Sequence, residues 1–174
     1  MLGVLTIISI PAVIHSEIYL SNPRETNRTR AIYCAALILL ITAMGAACLS
    51  SHIAVTWIFV ELTTLSASAL IYHHRNERSL EGTWKYVFLC AISVTFIFIG
   101  ILFLSLALRQ TGTTDLSYEQ LMLHASALDP SWLKLAFLFI FTGFTAKMGL
   151  VPMYTAGIDA KDKAPAPAGA LFSS

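Results

Sequence analysis

Charge is scarce in this sequence. Only 12% of its 174 residues are Asp, Glu, Lys or Arg, where soluble domains carry about a quarter. The net charge is +1, which leaves no electrostatic footprint for nucleic acid, so no nucleic-acid partner is expected. Cysteine is equally sparse. Cys34, Cys48 and Cys90 each sit inside an apolar run and none has CxxC spacing, so they read as small packing residues rather than disulfides or metal ligands. There is no Gly-rich phosphate loop and no nucleophile elbow. Of the histidines only His15 lies within an apolar run, while His52, His73, His74 and His124 fall at ends or in loops, so a bis-His haem is not expected. The chain therefore shows no cofactor, metal or redox site of its own.

What fills the sequence instead is apolar. Hydrophobic residues make up 56%, and mean hydropathy is +0.71. Five runs reach spanning length: Leu2–Leu20, Ala31–Leu49, Ile53–Tyr72, Tyr86–Leu108 and Leu133–Thr155. Each is near the roughly 20 residues that a 30 Å hydrocarbon layer needs. The runs are continuous rather than alternating, which excludes a β-barrel. The expected fold is an all-α integral membrane bundle of five to six helices in contact with the lipid bilayer. A sixth apolar segment runs from Ala164 to Ser174 without a flanking charge. The chain is therefore expected to be a single transmembrane domain that forms part of a longer membrane protein.

Basic residues orient the bundle. Arg24, Arg28 and Arg30 follow the first run; Arg75, Arg78 and Lys85 follow the third; Lys161 and Lys163 follow the fifth. The opposite side holds an uncharged N-terminal stretch, the Ser50–Ser51–His52 turn, and a loop with Arg109 and Lys134. The bias predicts a multi-pass protein of the plasma membrane (the inner membrane, in a cell with two), with the basic loops cytoplasmic and the N-terminus outside.

Punctuation refines the elements. Asn22–Pro23 ends the first helix, and Pro11 is expected to kink it. Ser79 followed by Glu81 reads as an N-cap with an acid in the first turn, which starts the fourth helix near Leu80. Leu116–Leu128 reads equally as a surface amphipathic helix or as an ordered loop.

Two charges stand out against this background. Glu61 is the only charged residue between His52 and His73, and Lys147 the only one between Lys134 and Asp159. An ionisable group at such depth is unfavourable by roughly 2.5–3.5 kcal/mol on insertion scales, and usually faces a bundle interior on an ion or proton path. Thr64 and Ser68 lie on the helical face of Glu61 and could hold water. The plain alternative is a structural carboxylate pinned to a donor on another helix. Lys147 is flanked by Gly143, Gly149 and Pro152. Pro152 cannot donate to the carbonyl of Met148 and crowds it, so the helix is expected to break just after the lysine. Irregular backbone at membrane depth is tolerated only when buried in protein or lining water, and broken helices of transporters help form ion sites. For Lys147 the alternative is snorkelling. Lys85 reads either as an interfacial anchor beside Trp84 or as an intermittent partner of Glu61.

Several stretches resemble a known family. Trp57-Ile-Phe-Val-Glu61-Leu, Trp84-Lys85-Tyr86, Phe144-Thr-Ala-Lys147-Met-Gly149-Leu-Val-Pro152-Met, Asp159 and Ala164-Pro-Ala-Pro167 resemble the antiporter-like membrane subunits of respiratory complex I, membrane-bound hydrogenases and multisubunit cation/proton antiporters. After the lysine helix this chain reads Tyr154-Thr-Ala-Gly-Ile-Asp159-Ala, where complex I members typically carry His-Thr-Trp-Leu-Pro-Asp-Ala. Glu61-Leu-Thr-Thr-Leu and Trp84-Lys85-Tyr86 are more similar to the hydrogenase-4 or formate-hydrogenlyase F-type subunit. The resemblance implies a proton path through Glu61, Lys85 and Lys147, with Gly149 and Pro152 at the helix break and Thr64, Ser68 and Asp159 in support. It implies a larger inverted-repeat fold of which this chain holds the first repeat. It also implies other membrane subunits of a complex I-like or hydrogenase complex as partners, with protons, or sodium ions, as cargo. A stand-alone cation/proton antiporter and a purely structural subunit are the competing readings.

Overall fold

A computed structural model describes residues 1–21, 26–150, 158 and 162–172. Its elements are helices: α1 (Leu2–Leu20), α2 (Asn27–Leu49), α3 (Ile53–Ile71), α4 (Glu77–Arg109), the short α5 (Tyr118–Leu123), α6 (Pro130–Lys147) and α7 (Ala166–Phe172). Among the described residues there is no strand, only a single bridge between His52 and Ser117. Among the described residues four helices, α1 to α4, are long and apolar enough to cross a membrane. The chain is an all-α, multi-pass membrane protein.

Local sequence explains the element boundaries. Asn76 caps α4 by accepting from the Ser79 backbone amide at 2.7 Å, while Ser79 Oγ accepts from the Asn76 amide at 3.2 Å. That reciprocal pair starts α4 at Glu77 rather than near Leu80, because Asn caps as well as Ser does and its side chain reaches the third amide. α4 is 33 residues long, about 50 Å at the helical rise of 1.5 Å per residue. It therefore extends well past a 30 Å hydrocarbon layer. α1 runs through Pro11 as one helix. The loop after α4 resolves into α5 and a single 3₁₀ turn at Ala125–Ala127. It is strapped to the α2–α3 turn: the Tyr118 amide donates to the Ser51 carbonyl at 2.9 Å, and the Tyr118 and Thr56 hydroxyls meet at 2.7 Å.

The fifth apolar run is shorter as a helix than its hydropathy suggests. α6 starts at Pro130, capped by Asp129, and stops at Lys147. Gly149 takes a left-handed conformation, φ +72°. Its amide donates to the Ala146 carbonyl at 3.2 Å, and the Leu150 amide reaches back to the Thr145 carbonyl at 2.9 Å. These two bonds are a Schellman stop, which a glycine enters without a Cβ penalty. The break expected after Lys147 is therefore present, made within the described residues by Gly149. Pro152 and Asp159 lie outside them.

Packing follows small residues. α4 and α6 run antiparallel, and their backbones meet at two notches. A Cβ at Gly100 would lie 2.5 Å from Ile140 Cγ1, and one at Gly143 would lie 2.5 Å from the Ser93 carbonyl oxygen. Glycine allows this approach, as in membrane helix pairs generally. The Phe96–Phe139 and Phe103–Trp132 ring pairs lie along the same seam. A second cluster joins α1, α2, α3 and α7 through Leu20, Tyr33, Leu37, Leu70 and Leu171. The outside is as apolar as the inside: Ile7, Ile14, Phe88, Phe137 and Leu138 are all exposed. Such faces suit lipid or neighbouring helices rather than water.

Candidate functional site

Three antiparallel contacts set the register of α3, α4 and α6. The Trp57 indole of α3 donates to the Val94 carbonyl of α4 at 3.0 Å, and its ring lies 5.1 Å from that of Phe98. Gly143 of α6 sits against Ser93 and Ile97 of α4. One helical turn along each element, towards the end of α6, come Glu61 from Trp57, Cys90 from Val94, and Lys147 from Gly143. The structure thus brings the two deep charges to one level of the bundle, with Cys90 of α4 at the same level.

Lys147, the last residue of α6, reaches across to α3. Its ammonium donates to the Val60 carbonyl at 2.9 Å and to the Thr64 hydroxyl. Thr64 Oγ1 lies 3.3 Å from the same carbonyl and Thr63 Oγ1 donates to it at 2.7 Å. Val60 oxygen is thus shared by three side-chain donors. Thr64 is buried, at 1% exposure. Position at a helix C-terminus also favours a cation.

Glu61 does not form an ion pair with Lys147. Its Oε2 atom is buried and has no hydrogen-bond partner among the described residues. The charges of Glu61 and Lys147 nonetheless act on each other, and both act on Cys90. Tyr86, one turn before Cys90 on α4, lies in the field of Glu61 as well. Sequence reasoning left Tyr86 and Cys90 out of the site. The four-residue spacing of Tyr86 and Cys90, and that of Trp57 and Glu61, was the available signal.

Two expected members sit apart. Lys85 is on the exposed side of α4, with its ammonium 2.6 Å from Glu81 Oε1. It does not reach Glu61, because a Glu placed four residues before a Lys on one helix face is a favourable nearby partner. Ser68 Oγ donates to the Leu65 carbonyl at 2.7 Å, within its own helix.

The family described as NADH:quinone oxidoreductase/Mrp antiporter, TM, matches residues 50–174. The chain belongs to this family. Its antiporter-family relatives include a hydrogenase-4 component F homolog of Methylacidiphilum infernorum, 31% identical over 137 residues, which is 77% of this chain and 29% of that protein. The NADH-quinone oxidoreductase subunit N of Methylococcus capsulatus is 31% identical over 142 residues, 79% of this chain and 28% of that protein. The chain spans less than a third of the length of these curated relatives. The family match covers Glu61, Thr64, Cys90 and Lys147 alike.

Proposed function

We propose that this chain is part of a proton-translocating membrane subunit of a redox-driven complex, located in the plasma membrane with its N-terminus outside. The observation that carries the reading is the Lys147 ammonium bound to Thr64 and the Val60 carbonyl, beside a buried carboxylate oxygen on Glu61 that lacks a hydrogen-bond partner. A cation held next to a carboxyl group, without neutralising it in a closed ion pair, is poised to exchange protons with it. Two unit charges about 4 Å apart interact by about 4 kcal/mol at an effective dielectric near 20. Moving one charge through the membrane potential takes about 2.3 kcal/mol per 100 mV. A change in Glu61–Lys147 separation therefore works on the energy scale of the gradient.

Lys85 enters the scheme as a third charge, held by Glu81 in the present arrangement. Its release from Glu81 would add a second cation near that level of the bundle. The electron chemistry belongs to partner subunits. The two relatives, a hydrogenase-4 component F homolog and an NADH-quinone oxidoreductase subunit, favour this reading over a stand-alone cation/proton antiporter. The test is Glu61→Gln in the full-length protein, with proton transport measured during electron transfer. Transport is expected to fall at least about tenfold while assembly holds. Undiminished transport in a normally assembled complex defeats the proposal.

A further inference from the structure

The seat of Lys147 lies on the helix of Glu61 itself. The ammonium donates to the Val60 carbonyl at 2.9 Å and to the Thr64 hydroxyl, so its two acceptors flank Glu61 in sequence. The lysine thus crosses from the last residue of α6 to the side of α3. Neither acceptor depends on it. Thr63 Oγ1 donates to the Val60 carbonyl at 2.7 Å, and Thr64 Oγ1 lies 3.3 Å from the same oxygen. That oxygen keeps side-chain donors when the lysine is gone, and the Thr64 hydroxyl keeps a group to donate to. Departure of Lys147 leaves no orphaned polar atom in the seat, so its cost is set by the lysine alone. For the ammonium that cost is high. Its bonds are charge-assisted, roughly twice as strong as those of a neutral donor, and a cation stripped of acceptors among lipid-embedded helices is strongly disfavoured. The free carbonyls at the C-terminus of α6 hold the cation as well, and not the neutral amine.

We propose that Thr64 and the Val60 carbonyl form a proton-dependent latch, which seats charged Lys147 on α3 beside Glu61 and releases it once neutral. The inference rests on the proton-transport reading of this site. Thr64 is a positioning residue here: it sets where the lysine charge sits and does not carry the proton. Glu61 on α3 and Cys90 on α4 are titratable groups whose charges bear on Lys147, and Tyr86 of α4 lies in the field of Glu61. A negative Glu61 reinforces the seated state. Lys85 is held by Glu81 on the exposed side of α4, away from the latch.

Valine keeps the shape of threonine without the hydroxyl, and serine keeps the hydroxyl without the methyl. The experiment uses the full-length protein in its complex. Lys147 is acylated in membranes with acetic anhydride, which attacks a neutral amine and spares an ammonium, and the modified peptide is measured by mass spectrometry. Thr64→Val is expected to raise the rate at Lys147 at least about tenfold, as for the loss of one bond to a charged group, and Thr64→Ser to match the parent. Proton transport during electron transfer is expected to divide the variants the same way, low in Thr64→Val and largely kept in Thr64→Ser, with assembly intact on a native gel. Parent-like acylation in Thr64→Val overturns the latch. So does full transport in a Thr64→Val variant whose lysine has become reactive. Fast acylation in Thr64→Ser overturns it too, and decides the matter where Thr64→Val does not assemble. Acylation needs no transport, so a parent-like Thr64→Val removes the latch even if Glu61→Gln has stopped transport and the broader reading stands.

Discussion

An ammonium group inside a lipid-embedded bundle has to find acceptors, and Lys147 finds a carbonyl and a hydroxyl on the neighbouring helix. Thr64 is therefore more than a lining residue. It is buried, and replacing it with valine keeps the shape while removing one acceptor from a cation. A hydrogen bond to a charged group contributes about 1.5–3 kcal/mol. Thr64→Val is expected to destabilise the purified full-length protein by about that amount, read as a lower thermal midpoint in detergent. An unchanged midpoint would detach Lys147 from Thr64. At this scale the sequence was legible where a residue stood out alone. Glu61 and Lys147 are isolated charges in apolar runs, and Thr64 is one turn from Glu61. Cys90 and Tyr86 were not legible, because their place depends on how three helices align. Lys85 shows the opposite difficulty: the local pair with Glu81 prevailed over the long-range partner that depth suggested.

Elements add constraints that single residues do not show. The α4–α6 seam closes on backbone at Gly143, where a Cβ would lie 2.5 Å from the Ser93 carbonyl oxygen and 3.0 Å from the Ile97 amide nitrogen. Backbone cannot rotate away as a side chain can. Gly143→Ala is thus expected to force α6 off α4, with a loss of about 1–3 kcal/mol as for other overpacked sites. It should also withdraw Lys147 from Thr64, so that thermal stability and transport fall together. Gly45 provides the control, since a Cβ there meets only Leu5 Cδ2 at 3.8 Å, and Gly45→Ala should behave as the parent. Stability unaffected by Gly143→Ala would show that the seam can open freely. Hydropathy located the helices and several of their ends, α1 at Leu2–Leu20 among them, but not the start of α4 or the stop of α6. The α6 stop lies within an apolar run and is made by the left-handed Gly149, a backbone requirement to which hydropathy is blind. α4 begins three residues earlier than the serine cap implied, because Asn76 and Ser79 cap each other.

For the molecule as a whole, the basic residues supply a testable orientation. Arg78 and Thr114 are both exposed, and they lie at opposite ends of the long α4 crossing. In a background with the native cysteines replaced by serine, Thr114→Cys is expected to react with a membrane-impermeant maleimide in intact cells. Arg78→Cys should react only after permeabilisation. The reverse pattern would invert the topology. The exposed apolar faces of α1 and α6 are consistent with a chain that spans under a third of its relatives. α4 and α6 approach backbone to backbone at both Gly100 and Gly143, which resists movement of one helix along the other. Sliding along the seam would drive Ile140 and Ser93 into the opposing chain. In a stroke of the proposed kind, what moves at this seam is then the aliphatic stem of Lys147, so the reach of its ammonium is capped by the sweep of that arm.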